Sequence, residues 1–155
     1  MRYNEMLEKL DNVVNEFVEK FDCTAQVGPD FFYLPFFDMI FYELAFSKRQ
    51  PYTRDFLASI KRQKPQIKLN PFVWSILHEV GHHETYYDLT PEQNAWCDKK
   101  KARIQRTKAT NPYYNVLDEV LATKWAVNYA NTHRNEVKEF EKKLLDIVKE
   151  IFETL

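Results

Sequence analysis

Residues 70–82 constrain this chain more than any other stretch. Asn70-Pro71 is a helix start, because Asn is a strong N-cap and Pro fits the first helical position. The residues that follow, Phe72-Val73-Trp74-Ser75-Ile76-Leu77, are apolar nearly all the way round, so their helix has to be buried. The same helix then carries His78, Glu79 and His82. Ionisable groups on a buried helix are costly unless they are paired or bound to a metal. Whatever fold the chain adopts must therefore bring partners to the middle of this helix.

The rest of the sequence predicts what packs around it. Met6, Leu7, Leu10, Val13, Val14, Phe17, Val18 and Phe21 recur at helical spacing, which predicts an amphipathic helix over 3–21. Residues 23–46 are rich in Phe, Tyr and Ile, with a turn signal at Gly28-Pro29-Asp30. They read as two or three short strands, one of them Met39 to Leu44. Thr53 is a candidate cap for a short helix to about residue 62. Thr90-Pro91-Glu92-Gln93 has the capping-box pattern, and Asn111-Pro112 reads as the start of a helix running to about Asn131. A last helix over 134–154 carries the stripe Val137, Phe140, Leu144, Leu145, Val148, Ile151 and Phe152. The expectation is an α+β class, mainly helical with a small sheet, and 155 residues suit one domain over 1–155.

Composition enters by exclusion. Only two glycines occur, Gly28 and Gly81, so a glycine-rich phosphate loop is ruled out. A net charge of −1 does not point to nucleic acid or to an anionic membrane. Cys23 and Cys97 read as free thiols of a reducing compartment. With no signal-peptide core at the N-terminus and no apolar run of membrane-spanning length, the expected location is cytoplasmic.

His78 and His82 stand four apart, so both imidazoles lie on one helix face, one turn apart. Two nitrogens so placed suit one zinc at about 2.0–2.1 Å each. Glu79 is turned about 100° away. It can flank the metal and reach a water without being a ligand, which is the mechanical sense of H-E-x-x-H. A catalytic zinc needs a third protein ligand and one open position. Glu119 is the best candidate. Ala122, Ala126 and Ala130 follow it at +3, +7 and +11, so Glu119 heads a stripe of small residues. Ser75 and Gly81 lie near His78 on the first helix, and small residues on both faces let the two helices approach closely. Asp118 is the main rival, or else an acceptor for the N–H of a ligand histidine. His83 reads as a partner of the helix end and His133 as a capping or solvent residue. Either histidine, like Tyr113, Tyr114 and Tyr129, is a candidate oxyanion donor if the fold brings it near the metal, with nothing in the sequence to select among them.

His78-Glu79-Val80-Gly81-His82, followed by Glu119-x-x-Ala122-x-x-Trp125-Ala126, resembles the ImmA/IrrE-type zinc metallopeptidases, a gluzincin-like family, over residues 70–130. The resemblance implies a zincin-like domain with a small sheet beside the H-E-x-x-H helix. It implies one zinc per chain held by His78, His82 and Glu119, with Glu79 as general base. It also implies a protein or peptide substrate, such as a repressor-like regulator.

Two other classes compete with a peptidase, besides a metallohydrolase acting on something other than a peptide. One is a non-catalytic zinc-binding pseudoenzyme acting as a protein-interaction module. It requires a fourth ligand, such as Cys97 or His83, or a site without hydrolysis. The other is nucleic-acid binding through Lys99, Lys100, Lys101, Arg103, Arg106 and Lys108. That run lacks interleaved aromatics and reads first as a solvated helix face, second as a lid or an arm for an acidic partner.

Overall fold

The computed structural model describes residues 2–28, 30–43, 51–107 and 111–154. Pro29 of the expected turn, Leu44 of the expected strand and Lys108 of the basic run lie outside the described residues.

Helix α1, Arg2–Val18, buries Met6, Leu10, Val14, Phe17 and Val18 on one face. It runs into a 3-10 turn, Glu19–Phe21, which Asp22 ends in the left-handed region at φ 58°. The chain then enters β1, Thr24–Val27, followed by β2, Phe32–Leu34, and β3, Met39–Tyr42. The sheet order is β1-β3-β2. β1 runs parallel to β3 with Ala25 opposite Ile40, and β2 runs antiparallel with Tyr33 opposite Ile40. Ile40 and Tyr42 are buried on one face, while Phe32 and Phe41 stack 4.5 Å apart on the other. This alternation is the period-2 pattern of a half-buried sheet.

Helix α2, Pro51–Arg62, turns Phe56 and Ile60 into the core. It starts at Pro51, so Thr53 is not its cap; it is a buried residue inside the first turns. Proline is preorganised for that first position. Helix α3, Pro71–Thr85, starts as the sequence predicts, with the Asn70 side chain accepting the Phe72 N–H at 2.9 Å. Residues 72–81 of α3 are all buried. A 3-10 turn, Tyr86–Asp88, leads to α4, Pro91–Arg106, where Thr90 and Gln93 form the expected capping box.

The segment after α4 departs from expectation. Asn111-Pro112 opens a 3-10 turn, Asn111–Asn115, and α5, Leu117–Thr132, starts only after Val116 adopts an extended conformation. Val116 is buried with Leu89 and Cys97, and the Tyr114 ring lies 5.6 Å from that of Phe56. Burying those two side chains against α4 and α2 takes the chain off the helical path. Helix α6, Arg134–Thr154, packs along α1, with Phe17 stacked on Phe140 at 4.1 Å. Of its stripe, Val137, Phe140, Leu144 and Ile151 are buried, while Phe152 is exposed.

The class is α+β, mostly helical with one small sheet. Helices α3 and α5 form the central pair, sheet and α1 lie to one side of α3, and one apolar core joins them. Among the described residues no helix is long and apolar enough to cross a membrane.

Candidate metal centre

Gly81 decides how close α3 and α5 come. A Cβ built on it would stand 2.4 Å from the Ala122 carbonyl oxygen, so only glycine permits this approach. One turn before Gly81 is His78, and one turn before Ala122 is Glu119. Close packing at the first pair brings the second pair into contact. His78 Nε2 lies 3.2 Å from Glu119 Oε1, and His82 Nε2 lies 2.7 Å from Glu119 Oε2. Ligand atoms of all three residues fall within 4.8 Å of one another. His78 and Glu119 are each 3% exposed, which leaves one side of the cluster, at half-buried His82, facing out.

That side opens into a cleft of about 330 Å³. Its floor is Glu79, His82 and Glu119; one wall is the edge strand β2 with Phe31, Phe32, Tyr33 and Phe36; the opposite wall is α4 with Asn94, Asp98 and Lys101. Tyr113 and Asp118 also line it. Glu79 therefore faces the same space as the cluster without belonging to it, as a 100° rotation from His78 requires.

The surroundings set the charges. Burial pushes the Glu79 carboxyl up to about 8, Glu119 adds to the shift, and His82 and Lys101 oppose it. Burial opposes a charge on His82, but the Glu119 carboxylate raises that imidazole to about 9. Burial likewise opposes ionisation of Glu119, but His82 and the hydrogen bonds from both histidines hold it well below the usual carboxylate range. His78 is lowered, chiefly by burial, and stays a neutral imidazole. Without metal the site is thus an imidazolium–carboxylate pair next to a neutral histidine. A divalent cation would replace the proton on His82.

The donor set fits a metal. Two imidazole nitrogens and one carboxylate form the His₂Glu set of catalytic zinc sites. Among the described residues no fourth Cys, His, Asp or Glu joins it. Cys97 is buried with Leu89 and Val116 in a separate cluster, and Cys23 is also a buried free thiol. His83 turns away: Nε2 is 2.7 Å from the Phe21 carbonyl and Nδ1 is 3.0 Å from the Tyr33 hydroxyl, tying α3 to α1's end and to β2. His133 ends α5 and is exposed, stacked on Tyr129. Of the three tyrosines, Tyr113 lines the cleft and the Tyr114 ring lies 6.3 Å from that of His78, while Tyr129 donates to Glu136 away from the site.

Two residues at the site escape sequence reasoning, and one role changes hands. The second nitrogen of His78 is met by Thr123 Oγ1 at 3.2 Å, not by Asp118. Thr123 follows Glu119 by four, so the same helix face that carries the carboxylate carries the hydroxyl. Asp118 instead accepts from Lys101 Nζ at 2.5 Å, and Lys101 also reaches Glu119 Oε2 at 3.3 Å. In the sequence Lys101 reads as part of a solvated basic run. Its position four after Cys97 and three before Ile104, both facing inward, was the signal.

No protein-family model matches the chain, and no curated protein or solved structure matches it either.

Proposed function

We propose that this protein is a zinc-dependent metallopeptidase of zincin-like architecture, with His78, His82 and Glu119 holding one zinc and Glu79 acting as general base. The observation that carries the reading is the convergence of three donors from two helices beside a carboxylate that shares their cleft but not their contacts. A structural zinc is usually closed by four protein ligands, whereas a catalytic one keeps a position open. Three donors, of which His82 and Glu119 line a cleft, favour catalysis over a purely structural ion or a pseudoenzyme.

Zinc in such a site supplies Lewis acidity, polarising a carbonyl and making water acidic near neutral pH. The protein's own groups do the rest. The positive charge of a bound cation would lower the Glu79 carboxyl from its raised metal-free value, and the ionised carboxylate accepts the water proton and passes it to the leaving amine. Thr123 fixes the ring of His78 through Nδ1, leaving Nε2 to face the metal position. A peptide is favoured over other substrates because β2 is an edge strand and its residues form a cleft wall. An extended chain laid there gains main-chain hydrogen bonds. The resemblance to ImmA/IrrE-type enzymes adds a repressor-like protein as the substrate, and the buried free thiols suit a cytoplasmic setting.

The test is metal content of the purified protein beside His78→Ala, Glu119→Ala and Glu79→Gln, with hydrolysis of a peptide library as the second readout. One zinc per chain, lost in the first two variants and kept in Glu79→Gln without turnover, is the expected result. No zinc uptake by the wild type at neutral pH would end the metal reading. Wild-type hydrolysis by Glu79→Gln would remove Glu79 as the base.

A further inference from the structure

Helix α4 carries three consecutive lysines, and they do not share a fate. Lys99 and Lys100 are exposed, while the Lys101 side chain is only 16% exposed. Cys97, one turn earlier on the same face, is fully buried against Leu89 and Val116, with Ile104 and Leu121 packed around them. That small apolar cluster pins α4 to the start of α5 and aims Lys101 into the cleft. Among the described residues lining the cleft, Lys101 is the one lysine or arginine.

Its ammonium is divided between two carboxylates. Nζ stands 2.5 Å from Asp118 Oδ2 and 3.3 Å from Glu119 Oε2. Asp118 Oδ1 in turn accepts the backbone N–H of Glu119 at 2.8 Å. Lys101 therefore touches Glu119 twice, directly at the side chain and through Asp118 at the backbone.

On the metal reading given above, we propose that Lys101 is a positioning residue that shares the Glu119 carboxylate with the bound metal and holds metal affinity down. An ammonium and a divalent ion on one carboxylate compete for its charge and repel each other, and the cleft screens them less than bulk water does. A carboxylate already bonded to an ammonium donates less charge to the metal, which keeps the metal a stronger Lewis acid. Asp118 is the counterweight. Its shorter contact draws the ammonium off Glu119 and limits the competition.

Two substitutions should move zinc affinity in opposite directions. Lys101→Met removes the competitor and should tighten zinc binding about tenfold, similar in size and opposite in sign to the loss usual when a partner of a metal ligand is removed. Asp118→Asn keeps an acceptor for the Glu119 N–H but releases the ammonium onto Glu119, and should weaken binding by about tenfold. Lys101→Arg keeps the charge and should stay close to the wild type. The measurement is zinc affinity of the full chain by chelator competition, with thermal unfolding of each apo variant alongside.

A lysine that merely braces the fold would give weaker zinc binding and a lower melting temperature in both variants, and that pattern overturns the proposal. Unchanged or weaker binding in a folded Lys101→Met overturns it too. Should Lys101→Met fail to fold, Asp118→Asn decides alone: weaker binding at an unchanged melting temperature supports the proposal, and equal or tighter binding, or weaker binding with a lower melting temperature, refutes it. Wild-type protein that takes up no zinc ends the metal reading itself. Wild-type uptake with unchanged affinity in both variants ends only the role of Lys101.

Discussion

Gly81→Ala tests whether close packing of α3 on α5 builds the site. In an open helix position this change would stabilise the protein by about 1 kcal/mol, because alanine is the better helix former. Here the added carbon would lie 2.4 Å from the Ala122 oxygen and 3.0 Å from its carbonyl carbon and Cα. Ordinary contact begins at 3.4 Å, so the shortfall at the oxygen is 3.4 − 2.4 = 1.0 Å. The obstacle is helix backbone, which cannot rotate aside as a side chain would. The two helices must part, and overpacking of this kind costs about 1–3 kcal/mol. Set against the propensity gain, the strain leaves a net loss of up to about 2 kcal/mol. For a chain of this size that lowers Tm by up to about 8 °C. The separation acts one turn away on the 3.2 Å contact between His78 and Glu119, so zinc affinity should fall by about tenfold or more. Urea unfolding of the apo protein and chelator competition read the two effects. A variant about 1 kcal/mol more stable than the wild type, with unchanged zinc affinity, would refute the close-approach argument.

Other outcomes follow from single contacts. Thr123→Val keeps the shape but removes the hydroxyl beside His78 Nδ1, and should weaken zinc binding about tenfold with little change in apo stability; unchanged affinity would show that the ring needs no partner there. Asn15 holds the outer edge of β1, with Nδ2 donating to the Ala25 carbonyl at 2.9 Å and Oδ1 accepting the Ala25 N–H at 2.7 Å. Asn15→Leu strips both strand groups of their partner and should cost about 2 kcal/mol or more in urea unfolding, whereas a loss under about 0.5 kcal/mol would mean that water replaces the amide. Cys23 is buried, and desolvation pushes its thiol up to about 12; Cys97 is buried and shifted the same way. Neither should react with a thiol reagent at pH 8 until the protein is unfolded in denaturant, and fast labelling of the native state would contradict their burial.

Much of this protein is legible in its sequence because the signals are local. Asn70-Pro71 and the Thr90–Gln93 box start their helices through contacts within one turn, and no distant residue is needed to read them. The stripe of α1 and the alternation of β3 follow from the periods of helix and strand. Even Glu119 could be singled out, because alanines mark its face as one that another helix covers. What the sequence could not decide are outcomes of packing between distant segments. Val116 leaves the helical path because Leu89 and Cys97 offer it a buried place, so the helix expected from Asn111 starts at Leu117 instead. Thr53 lies inside α2 because the helix already starts at Pro51. Thr123 takes the place beside His78 expected of Asp118 because the Lys101 ammonium is a stronger partner for a carboxylate than an imidazole N–H. Lys101 itself reads as one of three surface lysines until α4 docks and the face it shares with Cys97 turns inward. Helix starts and periodicities are set by neighbours along the chain, but the charge balance of a buried site is set by whichever groups the fold brings within a few ångströms, and only the tertiary structure supplies that.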